Sequence, residues 1–459
     1  MKCKFPDNFV FGVADADLQV IGEGFTQKYE GSEQTMWDAY AKNSGKVFEN
    51  QTPEIGIDRY SRWKEDIDIM KSMGIKDYRT SISMSRTIRR DGSVNEKSIE
   101  WYKTYFKALN EAGISISATL YHWELPYYLE EDGGWLNKET IQWFLKHVKA
   151  VAESLGEYID EYFILNEPWC SSILSYHMGI HAPGKRNLSE ALQAAHNLLL
   201  AQGLAYEVLR KINPNARIST VYNVSPSYPA TNNEEDRKAA KNYDGYFNRW
   251  FLDPLFLGKY PQDMIDLYKD HVPSFTEADM ETINIGKKLH ALGINYYNGS
   301  IVKYSDDNEL HFEYSGNEEG EKNDLNWPIY LPPHYPEGLF DILERVYSLY
   351  KDFGLKRIYV TENGIALNTP WDGKTEIVDD EKRIWFLKGH ILQVYKAIEK
   401  KIPVEKYFEW TLMDNYEWAE GYRPQSCFGL IHVERPSLQR IWKKSAYWYK
   451  NLISTNTLE

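Results

Sequence analysis

Tyr162-Phe163-Ile164-Leu165-Asn166-Glu167-Pro168 places a short apolar run, a polar pair and a turn former in immediate succession. Apolar residues without alternation read as a strand covered on both faces, as in a parallel sheet flanked by helices. The polar pair marks the end of that strand, and the proline turns the chain away. The plan recurs at Ile358-Tyr359-Val360-Thr361-Glu362-Asn363-Gly364. Outward from these two stretches, similar short runs occupy residues 9–14, 78–83, 114–120, 217–221, 289–295 and 407–412.

Helical patterns lie between the runs. Tyr60, Trp63, Ile67 and Met70 follow 3-4-3 spacing, with Glu65, Asp66 and Lys71 off the stripe. Leu192, Ala195, Leu199 and Tyr206 mark one face of a helix over 189–212, and Asn187 with Glu190 resembles a capping box at its start. Ile384, Leu387, Ile391 and Ile398 mark a third helix. Strands alternating with helices in one undivided chain predict the α/β class and a single (β/α)8 TIM barrel domain over residues 1–459. Periodicity alone also accommodates a doubly wound open sheet. The stretches 225–253 and 301–336 exceed ordinary connections and predict long βα-loop insertions at the C-terminal mouth, where they shape a site.

Bulk composition narrows the function. With 42% hydrophobic and 26% charged residues, the chain is an ordinary globular one. A net charge of −14 argues against a nucleic-acid partner, which needs clustered cations. Aromatic residues reach 15%, with 15 Trp and 34 Tyr. That share fits either a large aromatic core or a ring-lined cleft, against which the C–H face of a sugar packs. Cys3, Cys170 and Cys427 are odd in number and widely spaced, so neither a disulfide framework nor a zinc site is expected. Pro6, Asp7 and Asn8 fall where a signal peptide needs an apolar run, and no 18-residue apolar stretch offers a membrane span. A cytoplasmic protein without a membrane partner is the expectation.

Glu167 and Glu362 each stand just beyond an apolar strand, where a barrel presents groups to its mouth. A glutamate beginning a solvated loop would look the same. Glycoside cleavage, however, needs two carboxyl groups with opposite tasks, one giving a proton to the departing oxygen and one stabilising or attacking the anomeric carbon.

Over residues 9–449 the chain resembles glycoside hydrolase family 1, which includes β-glucosidases, β-galactosidases and 6-phospho-β-glycosidases. Asn166-Glu167-Pro168 is similar to the acid/base motif of that family, and Thr361-Glu362-Asn363-Gly364 to its nucleophile motif. The resemblance implies a retaining β-glycosidase with Glu167 as acid/base and Glu362 as nucleophile. It further implies Arg79, Asn166, Asn295 and Tyr297 in support, with Arg79 and Tyr297 beside Glu362 and Asn166 at the sugar 2-hydroxyl. Gln19, His122, Trp123, Glu417 and Trp418 match the sugar-gripping positions, and Trp410 the aromatic floor. Trp169, Asn223 and Trp327 fall at positions similar to those lining the leaving-group cleft. No cofactor and no metal are implied, and the expected partner is a small-molecule β-glycoside or oligosaccharide, glucosyl or galactosyl. A carboxylate at Glu417 would repel a phosphate at C6, which disfavours the phospho-specific branch. Transfer to a sugar acceptor and a non-catalytic sugar-binding barrel are the other readings. Ile21, Thr80, Met84 and Cys427 depart from the family pattern, so the leaving-group specificity is open.

Overall fold

The computed structural model describes residues 2–22, 31–315, 321–326, 328–330 and 336–459. A closed ring of parallel strands organises it. These are β1 (Val10–Ala14), β2 (Asp77–Ser81), β3 (Ser115–Thr119), β4 (Glu161–Asn166), β5 (Arg217–Asn223), β6 (Leu292–Asn295), β7 (Ile358–Asn363) and β8 (Val404–Trp410). β8 returns to pair with β1, Trp410 opposite Ala14, and so closes the barrel. The open-sheet alternative is thereby excluded. Helices α1 (Arg59–Met73), α2 (Glu96–Glu111), α3 (Glu139–Leu155), α4 (Leu188–Ile212), α5 (Glu277–Ile283), α6 (Gly338–Tyr350), α7 (Glu381–Glu399) and α8 (Lys444–Thr455) follow the strands in turn.

All eight runs found by sequence fall on barrel strands, with shifted ends. Apolarity misplaces the starts of β4 and β8 because Glu161 and Lys406 are charged yet belong to the strands. Lys406 Nζ, partly buried, lies 2.7 Å from buried Asp77 and 3.2 Å from buried Glu161. A small apolar layer of Phe163, Val221, Ala291 and Tyr359 packs separately from the main core. Gly12 on β1 is required by space: a Cβ there would meet the Asp77 carbonyl at 2.5 Å.

Two local readings are corrected. Asp66, read as lying off the apolar stripe of α1, is nonetheless buried between Arg59 Nε and Arg440 Nε, each 3.1 Å away. Burying it is tolerable because both cations accompany it. Asn187 does cap α4, accepting from the Glu190 N–H at 3.1 Å, but the Glu190 carboxylate lies 3.6 Å from Lys185, and only the Asn187 half of the box is formed. The two long insertions are not merely loops. Ser227–Pro229 pairs in parallel with Ser300–Lys303, which in turn pairs with Glu313–Tyr314, so each insertion satisfies the other's backbone at the mouth.

Candidate active site

The carboxyl ends of the strands converge on a cavity of about 880 Å³. Glu167, Glu362, Asn295, Tyr297, His122, Trp123, Trp410, Glu417 and Trp418 line it. The chain bends sharply to present three of them: Trp123, Glu167 and Trp418 adopt φ of 65°, 49° and 46°. Left-handed backbone at bulky residues is costly and persists where the surroundings enforce it. For Trp123 the enforcement is visible, since its carbonyl accepts from Trp37 Nε1 at 2.9 Å and its own indole donates to the Asn166 carbonyl at 3.2 Å. Beyond Glu362, Gly364 lets the chain pass close to Trp410, as a Cβ there would sit 2.0 Å from the Trp410 carbonyl.

The two glutamates are held by different kinds of group. Glu362 Oε1 accepts from Arg79 Nη1 at 2.7 Å, and Oε2 from the Tyr297 hydroxyl at 2.7 Å. Glu167 Oε1 accepts from Asn295 Nδ2 at 2.6 Å, and Oε2 from the Cys170 thiol at 2.9 Å. One carboxyl therefore has a cation in direct contact and the other only neutral donors. Burial raises both carboxyls. The Arg79 charge and its hydrogen bond, then the Tyr297 donor, oppose that rise at Glu362. Glu167, desolvated and facing the Glu362 carboxyl, is pushed up to about 8. The environments push the two apart: Arg79 and Tyr297 favour the carboxylate at Glu362, and nothing cationic in direct contact does so at Glu167.

Arg79 Nη2 also donates to Asn166 Oδ1 at 2.6 Å, while Asn166 Nδ2 reaches His122 Nε2 at 3.1 Å. Burial, then the Arg79 charge, hold His122 well below its ordinary value, so its ring is neutral. Gln19 Nε2 lies 2.6 Å from the Tyr416 carbonyl and 3.2 Å from Glu417 Oε2. Gln19 Oε1 and His122 Nδ1 are buried without a hydrogen-bond partner, which leaves both free for hydroxyl groups. Trp123 and Trp418 rings stand 4.7 Å apart, and His122 stacks on Trp410 at 5.8 Å.

Of the leaving-group trio, Asn223 lines the cavity, whereas buried Trp169 packs on Phe247 at 4.4 Å and is not among the lining residues. Trp327 lies outside the described residues. Of the departures, Ile21 and Met84 are buried in the core, Thr80 donates to Asp15 at 2.8 Å, and the Cys427 carbonyl accepts from Arg383 at 2.9 Å. Cys170 was missed as a site residue. Its signal was the i, i+3 spacing from Glu167 across a proline, which faces the two side chains together once the first turn forms. Among the described residues no cluster of three or more His, Cys, Asp or Glu is arranged to hold a metal, and no helix is long and apolar enough to cross a membrane.

The family model for glycosyl hydrolase family 1 matches residues 1–458. Beta-glucosidase A of Acetivibrio thermocellus is 36% identical over 99% of both chains. A beta-glucosidase of Agrobacterium is also 36% identical, over 99% of this chain and 96% of its own. Among solved structures, the Thermotoga maritima family 1 glycoside hydrolase complexed with a cyclophellitol analogue transition state mimic superposes with a TM-score of 0.93 at 36% identity, covering 99% of each chain. A closed barrel with two buried glutamates at its mouth, matched along nearly its whole length, makes this chain a glycosidase belonging to glycosyl hydrolase family 1.

Proposed function

We propose that the protein removes a terminal, non-reducing β-D-glucosyl residue from small-molecule β-glycosides or oligosaccharides by double displacement, with galactosides as the nearest alternative sugar. Glu362 attacks the anomeric carbon as the C1–O bond breaks, and the Glu167 proton passes to the departing oxygen. Water then attacks C1, its proton goes to Glu167, and the Glu362 oxygen leaves, so the configuration is retained. Arg79 and Tyr297 keep Glu362 ionised, Asn295 orients Glu167, and Asn166 serves the 2-hydroxyl. Gln19, His122, Trp123, Glu417 and Trp418 bind the sugar over Trp410, with Asn223 assigned to the leaving-group side.

The observation that carries this reading is the unequal wiring of the two carboxyls: arginine and phenol on Glu362, amide and thiol on Glu167. The beta-glucosidase names of the relatives support glucose. Glu417, hydrogen-bonded to Gln19, supports an unphosphorylated sugar. Residues 1–459 are read as one catalytic domain, in the cytoplasm, to which the three free cysteines are suited. Sugar acceptors would compete with water at the second step and give transfer products. Proton NMR of a 4-nitrophenyl β-D-glucoside digest tests the proposal: β-glucose must appear first. Initial release of α-glucose, or no release, would refute it.

A further inference from the structure

The hydrogen-bond network around Glu167 favours one of its oxygens for the proton. Arg79 has only N–H groups to offer, so the Asn166 atom 2.6 Å from Nη2 is Oδ1. Asn295, 3.1 Å from that oxygen, must present Nδ2 to it, and its Oδ1 accepts from Thr361 at 2.6 Å. The same Nδ2 is 2.6 Å from Glu167 Oε1. An amide nitrogen donates and cannot accept, and the carbonyl-type oxygen of a carboxylic acid is its better acceptor, so this contact favours Oε1 as the carbonyl and Oε2 as the protonated oxygen.

What faces Oε2 is the Cys170 sulfur, 2.9 Å away, buried at the start of a π-helix (Cys170–His177). Asn223 Nδ2 approaches the same sulfur at 3.7 Å. A thiol differs from an amide in both giving and taking a hydrogen bond, each weakly. Burial, then the Glu167 charge, push this thiol far above its ordinary range, so it keeps its hydrogen. The protonated Sγ is thus excluded as a competing nucleophile while remaining a donor and acceptor.

We propose that Cys170 is a positioning residue for proton transfer: its thiol donates to Oε2 while Glu167 is a carboxylate and accepts from Oε2 while Glu167 is the acid. The proposal rests on the acid/base reading of Glu167 and adds the group that steadies its proton between the two halves of the reaction. Before substrate arrives the Oε2–H rests against sulfur. It swings to the glycosidic oxygen, leaves with the alcohol, and the S–H then fills the vacated direction until water returns a proton.

The test replaces the thiol in both directions. A serine hydroxyl is the stronger donor to a carboxylate and alanine is none, so Glu167 must titrate lower in Cys170→Ser and higher in Cys170→Ala. The other groups acting on Glu167 (Glu362, Arg79, and the more distant Glu417 and Tyr297) are unchanged in both variants. In pH profiles of kcat/KM on an aryl β-glucoside, the alkaline limb is expected to fall by roughly half a unit in serine and rise by roughly half a unit in alanine, with the acid limb fixed. A purely structural role would lower the rate without separating the limbs. If the alanine variant does not fold, the downward shift in serine still decides. Coincident limbs, or shifts of the same sign, overturn the role of the thiol. A Glu167→Gln variant that keeps the parental alkaline limb instead overturns the acid/base reading beneath it.

Discussion

Arg79 joins the two halves of the site through one planar group: Nη1 is 2.7 Å from Glu362 Oε1 and Nη2 is 2.6 Å from Asn166 Oδ1. The guanidinium is buried, and that burial is offset because its partners are a carboxylate and an amide oxygen. Lysine would supply the charge without the fork. Arg79→Lys should lose one of the two contacts and lower kcat/KM by about 10–100-fold. Because Arg79 favours ionised Glu362, weakening it raises that carboxyl, and the acid limb of the rate profile should move to higher pH. An acid limb unmoved in a variant of reduced activity would disconnect Arg79 from Glu362.

The carboxyl roles are separable chemically. Glu362→Ala removes the attacking oxygen and leaves a gap beside the anomeric carbon. Hydrolysis should fall by at least about 10⁴-fold. Azide should restore part of the turnover and yield the α-glycosyl azide, an inverted product. Glu167→Ala with azide should give the β-product. If inversion appears with Glu167→Ala instead, the two assignments are exchanged.

Both glutamates were legible because each ends an apolar strand, and strand ends are where a barrel exposes polar groups. The strands themselves were legible for the same reason, except where a charge lies inside the barrel. Lys406 and Glu161 are 245 residues apart in sequence, so neither reveals its partner locally. Asp66 has the same difficulty, since Arg440 reaches it from 374 residues away. Trp169 shows the converse: adjacency to a catalytic motif placed it at the cleft, but its ring turned to Phe247. Cys170, dismissed for lack of a disulfide partner, lies within hydrogen-bond reach of Glu167 because the first turn after Pro168 brings i+3 back over i.

Glu167 is pushed up to about 8 by burial and then by the Glu362 charge. Activity should accordingly decline above about pH 8, as the acid loses its proton. The decline should be steep for leaving groups that need protonation and shallow for 2,4-dinitrophenol, which departs as an anion. Equal slopes for both would mean that some other group titrates.

Glu417 sits against Gln19 at 3.2 Å, with burial and then the Glu362 charge raising its carboxyl well above the usual range. Its environment thus favours sharing a proton with a neutral hydroxyl over meeting another anion. Glu417→Ser removes the hydrogen bonds to the outer hydroxyls. The kcat/KM on an aryl β-glucoside should drop about 10²-fold, while the 6-phosphoglucoside should gain relative to it. A variant that loses both substrates in equal proportion would remove Glu417 from phosphate discrimination.

His147 on α3 links stability to pH. Its Nε2 donates to the Leu120 carbonyl at 3.0 Å and Nδ1 meets the Thr87 hydroxyl at 2.6 Å, a pairing that suits the neutral ring. Burial lowers its pKa to about 4, against about 6.5 in an unfolded chain. Below pH 6.5 the unfolded chain takes up a proton that the folded one refuses. Stability from this residue is therefore complete above about pH 6.5, is lost as pH falls, and levels off near 4, for a total of about 3 kcal/mol. Between pH 7 and pH 5 the parent should lose about 2 kcal/mol more than His147→Gln, which cannot titrate. Urea unfolding midpoints of both proteins at the two pH values measure the difference. The other buried histidines are common to both and cancel, so equal losses would mean that His147 is protonated in the folded state.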